Sequence, residues 1–206
     1  FEAWDRGRIT SFLNTIINNL PVGVTLVLEV AGTEKFESRY ISTATPTTQG
    51  TVTQHLLDGQ QRLTAFWRAL HNNYEYETYY VYLPDFDTCN EKYGEEIAVY
   101  SKNRWFNKRN SRMPLWADDP VKCLERGFFP IDLLCPGDKM AAVDAWIVQA
   151  TKLYEPSEKD PDAFAMLKKH MELKDRLKSE IVVLRERVTH FNLPYLSLPA
   201  DTSKDV

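Results

Sequence analysis

Between Leu57 and Leu63 the chain changes hydrophobic period, and this change constrains the fold more than any other feature of the sequence. Residues 51–57 (Thr-Val-Thr-Gln-His-Leu-Leu) form a short run rich in β-formers that reads as a strand. Leu63, Phe66, Trp67 and Leu70 then recur at i, i+3, i+4 and i+7, one face of an amphipathic helix. Asp58-Gly59-Gln60-Gln61-Arg62 must make the turn between them. A strand-turn-helix junction aims backbone N–H groups at one spot, near the positive end of the helix dipole.

The residue types at this junction suit phosphate chemistry. Gly59 permits a tight turn and a close ligand. The N–H groups of Gln60, Gln61 and Arg62 are orphan donors at a helix start. Arg62 adds a permanently charged fork that matches phosphate oxygens. Asp58 is an acceptor for a hydrated metal ion or a water, and Gln60 or Gln61 can position an attacking water. Two bland alternatives stand beside this reading. Asp-Gly between apolar runs is also a hairpin signal, and Asp58 can cap the helix while Arg62 pairs on its surface. His55 lies close enough to carry a proton, but a strand position favours a core or rim role.

The rest of the chain supplies flanking elements. Asp5 is an N-cap candidate, Ile9, Phe12, Leu13, Ile16, Ile17 and Leu20 make a helical stripe, and Pro21 is expected to stop it. Residues 23–30 read as a buried strand and 31–50 as a hairpin arm and loop, with Arg39-Tyr40-Ile41 as a short strand. Residues 76–83 read as an aromatic strand ended by Pro84-Asp85-Phe86-Asp87. Residues 128–134 are a short apolar segment. Helices are expected from Met140 to about Tyr154 and over 162–188, separated by a polar linker. The second would carry Leu167, Met171, Leu177, Ile181, Leu184 and Val188 on one bundle face. Residues 191–198 read as a final strand.

A second stretch draws attention. Lys102, Arg104, Lys108, Arg109 and Arg112 surround Trp105 and Phe106. Cations interleaved with aromatics can track phosphates and stack bases. The plainer alternative is a polar surface segment whose two aromatics tuck into the core.

Composition excludes several classes. The 206 residues, 43% hydrophobic and 12% aromatic, suffice for one sizeable core. A net charge of −4 rules out a wholly basic nucleic-acid binder but leaves room for a basic face. Cys89, Cys123 and Cys135 form no Cys-x-x-Cys pair, and His55, His71, His170 and His190 share no metal-ligand spacing. Free thiols fit a reducing cytoplasm. No apolar run is long enough to span a membrane. No Walker, Gly-x-Ser-x-Gly or His-Glu-x-x-His motif is present. The opening at Phe1 without methionine and the end at Val206 without a structural stop lead us to expect a piece of a longer protein.

Leu57-Asp58-Gly59-Gln60-Gln61-Arg62-Leu63-Thr64 resembles the signature of the GmrSD-type restriction-enzyme N-terminal domain family, related to the ParB/sulfiredoxin-like fold. Trp4, the first helix and Leu20-Pro21-Val22-Gly23-Val24 resemble the family's opening, Tyr80-Val81-Tyr82-Leu83-Pro84 its next strand, and residues 128–134 the segment before its helical region. The resemblance implies an α+β fold: a ParB-like small mixed sheet with flanking helices over 1–134, then a helical extension over 135–206 ending in a short strand. It further implies a nucleoside-triphosphate-hydrolysing, magnesium-dependent module of a modification-sensing antiphage restriction system. Catalysis would fall to Asp58, Gln60, Gln61 and Arg62, nucleotide binding to Gly59, Gln60 and Arg62, and the metal to Asp58. DNA, modified phage DNA in particular, and a fused or separate His-Asn-His nuclease are the implied partners, and a homo-oligomer stays open. The family's Gln-Arg pair before its aromatic opening and an Asn-Gly segment after its last strand have no counterpart within these 206 residues. A non-catalytic DNA-binding or nucleotide-sensing domain, and a plain scaffold, are the alternatives.

Overall fold

A computed structural model describes residues 4–32, 51–91, 93–157 and 162–202. It is a mixed α/β structure with small sheets and, among the described residues, five α-helices. Its contacts divide the chain into two compact units: Phe1–Arg68 with Phe191–Val206, and Ala69–His190. The change to helical composition after residue 134 falls inside the second. The expected strand at Arg39-Tyr40-Ile41 lies outside the described residues.

In the first unit, α1 (Arg6–Ile17) begins where the Asp5 carboxylate accepts the Arg8 N–H at 2.9 Å, and it buries Ile9, Phe12, Leu13, Ile16 and Ile17. It ends earlier than expected. Asn19 adopts a left-handed conformation (φ 53°), closing the helix before Pro21 and leaving Leu20 half exposed. β1 (Thr25–Glu29) is the central strand of a three-stranded sheet. It pairs antiparallel with β2 (Gln54–Asp58) and parallel with β8 (Tyr195–Leu198), so the last strand returns to the first. α2 (Gln60–Leu70) follows β2 after one residue. Trp4, Phe12, Phe66 and Phe191 form a run of edge-to-face contacts, with centroids 5.5–6.4 Å apart, that ties α1 to α2 and to the segment before β8.

The second unit is built on β3 (Glu77–Asp87), flanked antiparallel by β4 (Ala98–Asn103) and β7 (Arg126–Pro130). β3 runs through Pro84 rather than stopping there. The pairing with β7 is irregular between Tyr82 and Asp87, which is where a residue without an N–H is tolerated. A two-stranded hairpin, β5 (Trp105–Phe106) and β6 (Arg112–Met113), follows β4. α3 (Pro120–Glu125) is capped by Asp119, which accepts the Val121 and Lys122 N–H groups. α4 (Met140–Ala150) is shorter than expected and gives way to a 3-10 turn over Lys152–Tyr154. α5 (Ala163–Thr189) buries Leu177, Ile181, Leu184 and Val188. Leu167 and Met171, expected on the same face, are about half exposed. The buried Arg185 of α5 donates to the carbonyls of Leu133, Cys135 and Gly137, which tethers the segment after β7.

Candidate functional site

The predicted junction forms. β2 ends at Asp58, Gly59 alone makes the turn at φ +100°, and the first α2 hydrogen bond runs from the Leu63 N–H to the Gly59 carbonyl (3.1 Å). The hairpin alternative for Asp-Gly is thereby removed. Glycine is dictated here twice over. The backbone is left-handed, and a Cβ would collide with Cγ2 of the buried Thr25 on β1. The tight turn thus serves sheet-helix packing.

Arg62 is committed to protein oxygens. Its guanidinium donates to the carbonyl of Gly23, to that of Val24 (3.0 Å) and to the Asp58 carboxylate (3.2 Å). The side chain is only 15% exposed, whereas Asp58 is 72% exposed. A Cβ on Gly23 would lie 3.1 Å from the Arg62 fork, so that glycine makes room for it. Two sequence features therefore form one device: the Pro21-Val22-Gly23 lead-in presents bare carbonyls, and Arg62 ties them to the start of α2. Three of the five guanidinium N–H groups are used in this way.

Asp58 holds Arg62 with one oxygen and faces solvent beside the helix start. The Gln60 side chain donates to the Leu56 carbonyl at 3.4 Å. His55 is buried on β2 opposite Leu28, as a core residue should be. Among the described residues no group of three or more His, Cys, Asp or Glu side chains converges on one point. For the magnesium that the resemblance implies, Asp58 would supply a carboxylate at the helix start. That ion is commonly held by one or two carboxylates together with waters and substrate phosphates.

The basic stretch splits. Lys102 and Arg104 turn inward. The Lys102 ammonium lies 2.9 Å from the Tyr93 hydroxyl and over the rings of Tyr93 (4.2 Å) and Phe128 (5.0 Å). Burial lowers its pKa. Arg104 is 2% exposed and paired with Asp118. Lys108 and Arg109 are exposed in the turn of the β5–β6 hairpin, and Arg112 is partly exposed on β6. Trp105 and Phe106 are 49% and 58% exposed, so neither is tucked into the core.

Sequence alone does not reveal the partners of Arg62, the Gly23 and Val24 carbonyls, or the Thr25 methyl group that lies against Gly59. The one signal in the sequence is the Pro-x-Gly spacing, which by itself marks only the entry into a strand.

Strand, single-glycine turn and Arg-braced helix, set within a mixed α/β chain, define a class before they define a chemistry. A family model described as GmrSD restriction endonuclease, N-terminal domain, matches residues 2–205, and the chain belongs to that family. It is accordingly a component of a restriction system. No curated protein matches it. No helix among the described residues is long and apolar enough to cross a membrane.

Proposed function

We propose that this chain is the nucleotide-dependent module of a modification-sensing antiphage DNA restriction system, working at the β2–α2 junction on a ParB-like scaffold. The supporting observation is the Asp58–Arg62 pair at the mouth of a helix start. A solvent-facing carboxylate, paired with Arg62, ends β2 one glycine before the helix-start amides of Gln60, Gln61 and Arg62. Those amides and the helix dipole favour the phosphates of a nucleoside triphosphate. Magnesium, when bound, supplies neutralisation of phosphate charge, and Asp58 is the residue that would hold it. Gln60 or Gln61 orients the attacking water. Arg62 acts as a positioning residue: it fixes the Asp58 carboxylate and the β1 lead-in. The cleavage chemistry belongs to a His-Asn-His nuclease, fused or separate.

The test is phosphate release from nucleoside triphosphates, with and without DNA, for wild type and Asp58→Asn. Wild-type release that falls by about a hundredfold or more in the variant, with the melting temperature unchanged, supports the reading. An absence of release under every condition overturns it. The commitment of Arg62 to backbone carbonyls favours a second reading, a nucleotide-sensing or DNA-binding domain without turnover. Nucleotide binding without phosphate release would establish it.

A further inference from the structure

From Ile97 to Ala117 the chain carries five cationic side chains and no acidic one, although its overall net charge is −4. The fold sorts these five. Lys102 and Arg104 are absorbed by the second unit, and Lys108, Arg109 and Arg112 are left on the β5–β6 hairpin.

The hairpin's two faces differ. Phe106 stands opposite Arg112, and Trp105 opposite Met113. Directly opposed residues share a face and successive residues alternate, so one face shows an aromatic ring beside a guanidinium and the other shows an indole. Both rings are about half exposed.

The turn is held by its own hydrogen bonds. The Asn107 carboxamide oxygen accepts the N–H groups of Arg109 (2.9 Å) and Ser111 (3.0 Å), and the Asn107 N–H donates to the Ser111 carbonyl (3.0 Å). Asn110 takes the left-handed conformation such a turn requires (φ 56°). Lys108 and Arg109 are therefore presented from an ordered tip. Among the described residues no carboxylate pairs with either of them, or with Arg112.

We infer that this hairpin is a binding surface for single-stranded or locally unpaired DNA. Bases stack on Phe106 beside Arg112 on one face and on Trp105 on the other as the strand wraps the hairpin, and Lys108, Arg109 and Arg112 hold the flanking phosphates. Exposed rings reach bases only where those bases are not already stacked in a duplex, and ring stacking is indifferent to sequence. This surface is distinct from the β2–α2 junction and does not depend on nucleotide chemistry there.

The experiment is fluorescence anisotropy of a labelled oligo-dT and of the matching duplex, titrated with the full chain over a salt series. Variants are Trp105→Ala/Phe106→Ala and Lys108→Ala/Arg109→Ala, with thermal unfolding as the fold control. The wild type is expected to prefer the single strand. The aromatic pair should weaken that binding at least about fivefold and leave the salt slope unchanged. The basic pair should lower the magnitude of the slope by about 1.4, or about 0.7 per lost phosphate contact. Equal binding of single strand and duplex with no effect of the aromatic pair would assign the hairpin to a duplex groove and overturn the proposal. Binding of neither form would overturn it equally. Nucleotide binding measured on the same two variants should match wild type, which separates failure here from failure at the junction.

Discussion

The β2–α2 junction and the β5–β6 hairpin are both short, polar and arginine-bearing, yet they use their charge in opposite directions. Arg62 turns inward onto the oxygens it holds, while Lys108 and Arg109 are exposed. Local residue type does not decide this. The Gly23 and Val24 carbonyls precede β1, outside its ladder, and a guanidinium can reach both at once. At the hairpin tip the Asn107 side chain accepts the N–H groups of Arg109 and Ser111, and among the described residues no carboxylate pairs with the cations. A cation is drawn in where the backbone leaves acceptors open, and stays in solvent where the turn closes on itself.

That contrast can be broken by substitution. The largest effect is expected at Gly59, which turns the chain so that Arg62 can reach its partners. Gly59→Ala meets both a left-handed backbone and the Thr25 methyl group, and should cost about 3 kcal/mol in denaturant unfolding. A loss below about 1 kcal/mol would mean that Thr25 yields easily. Next comes Arg62→Ala, which strands two backbone carbonyls and should cost about 2 kcal/mol. Arg62→Lys should recover less than half of this, because a point charge cannot replace the fork. By contrast, Lys108→Ala/Arg109→Ala should change stability by no more than about 0.5 kcal/mol, since exposed cations without partners contribute little. Equal costs for Arg62→Ala and the hairpin pair would erase the distinction.

The smallest effect sharpens the division within the basic stretch. Burial lowers the Lys102 pKa. Its folded value therefore lies below its unfolded one, and between the two the unfolded chain binds the extra proton. Stability from this residue should rise as pH climbs through that alkaline window. The difference between wild type and Lys102→Met, followed by denaturant unfolding against pH, should show that rise. A flat difference would place the ammonium in solvent beside its hairpin neighbours.

Much of this architecture was legible in the sequence wherever one period persisted. α1, β1, the β2–α2 junction, the first part of β3 and the long α5 all follow from apolar spacing. β4 was not read, because Ala98–Asn103 has no long apolar run and is a strand through its pairing with β3. α3 is only six residues long, and the β5 and β6 strands are two residues each, too short for any period to show. The junction's residues were legible, but not the destination of Arg62, whose main-chain partner lies 39 positions upstream. The basic stretch likewise could not show which two of its five cations the aromatic cluster and Asp118 would absorb.

The central claim is that the junction and the hairpin bind different ligands. The most direct measurement is a paired titration of one protein preparation with a magnesium nucleoside triphosphate and with oligo-dT. The three samples are wild type, Asp58→Asn and Lys108→Ala/Arg109→Ala. Asp58→Asn is expected to lose the nucleotide and keep the oligonucleotide, and the hairpin pair to do the reverse. One variant losing both ligands, or each variant keeping both, would contradict it.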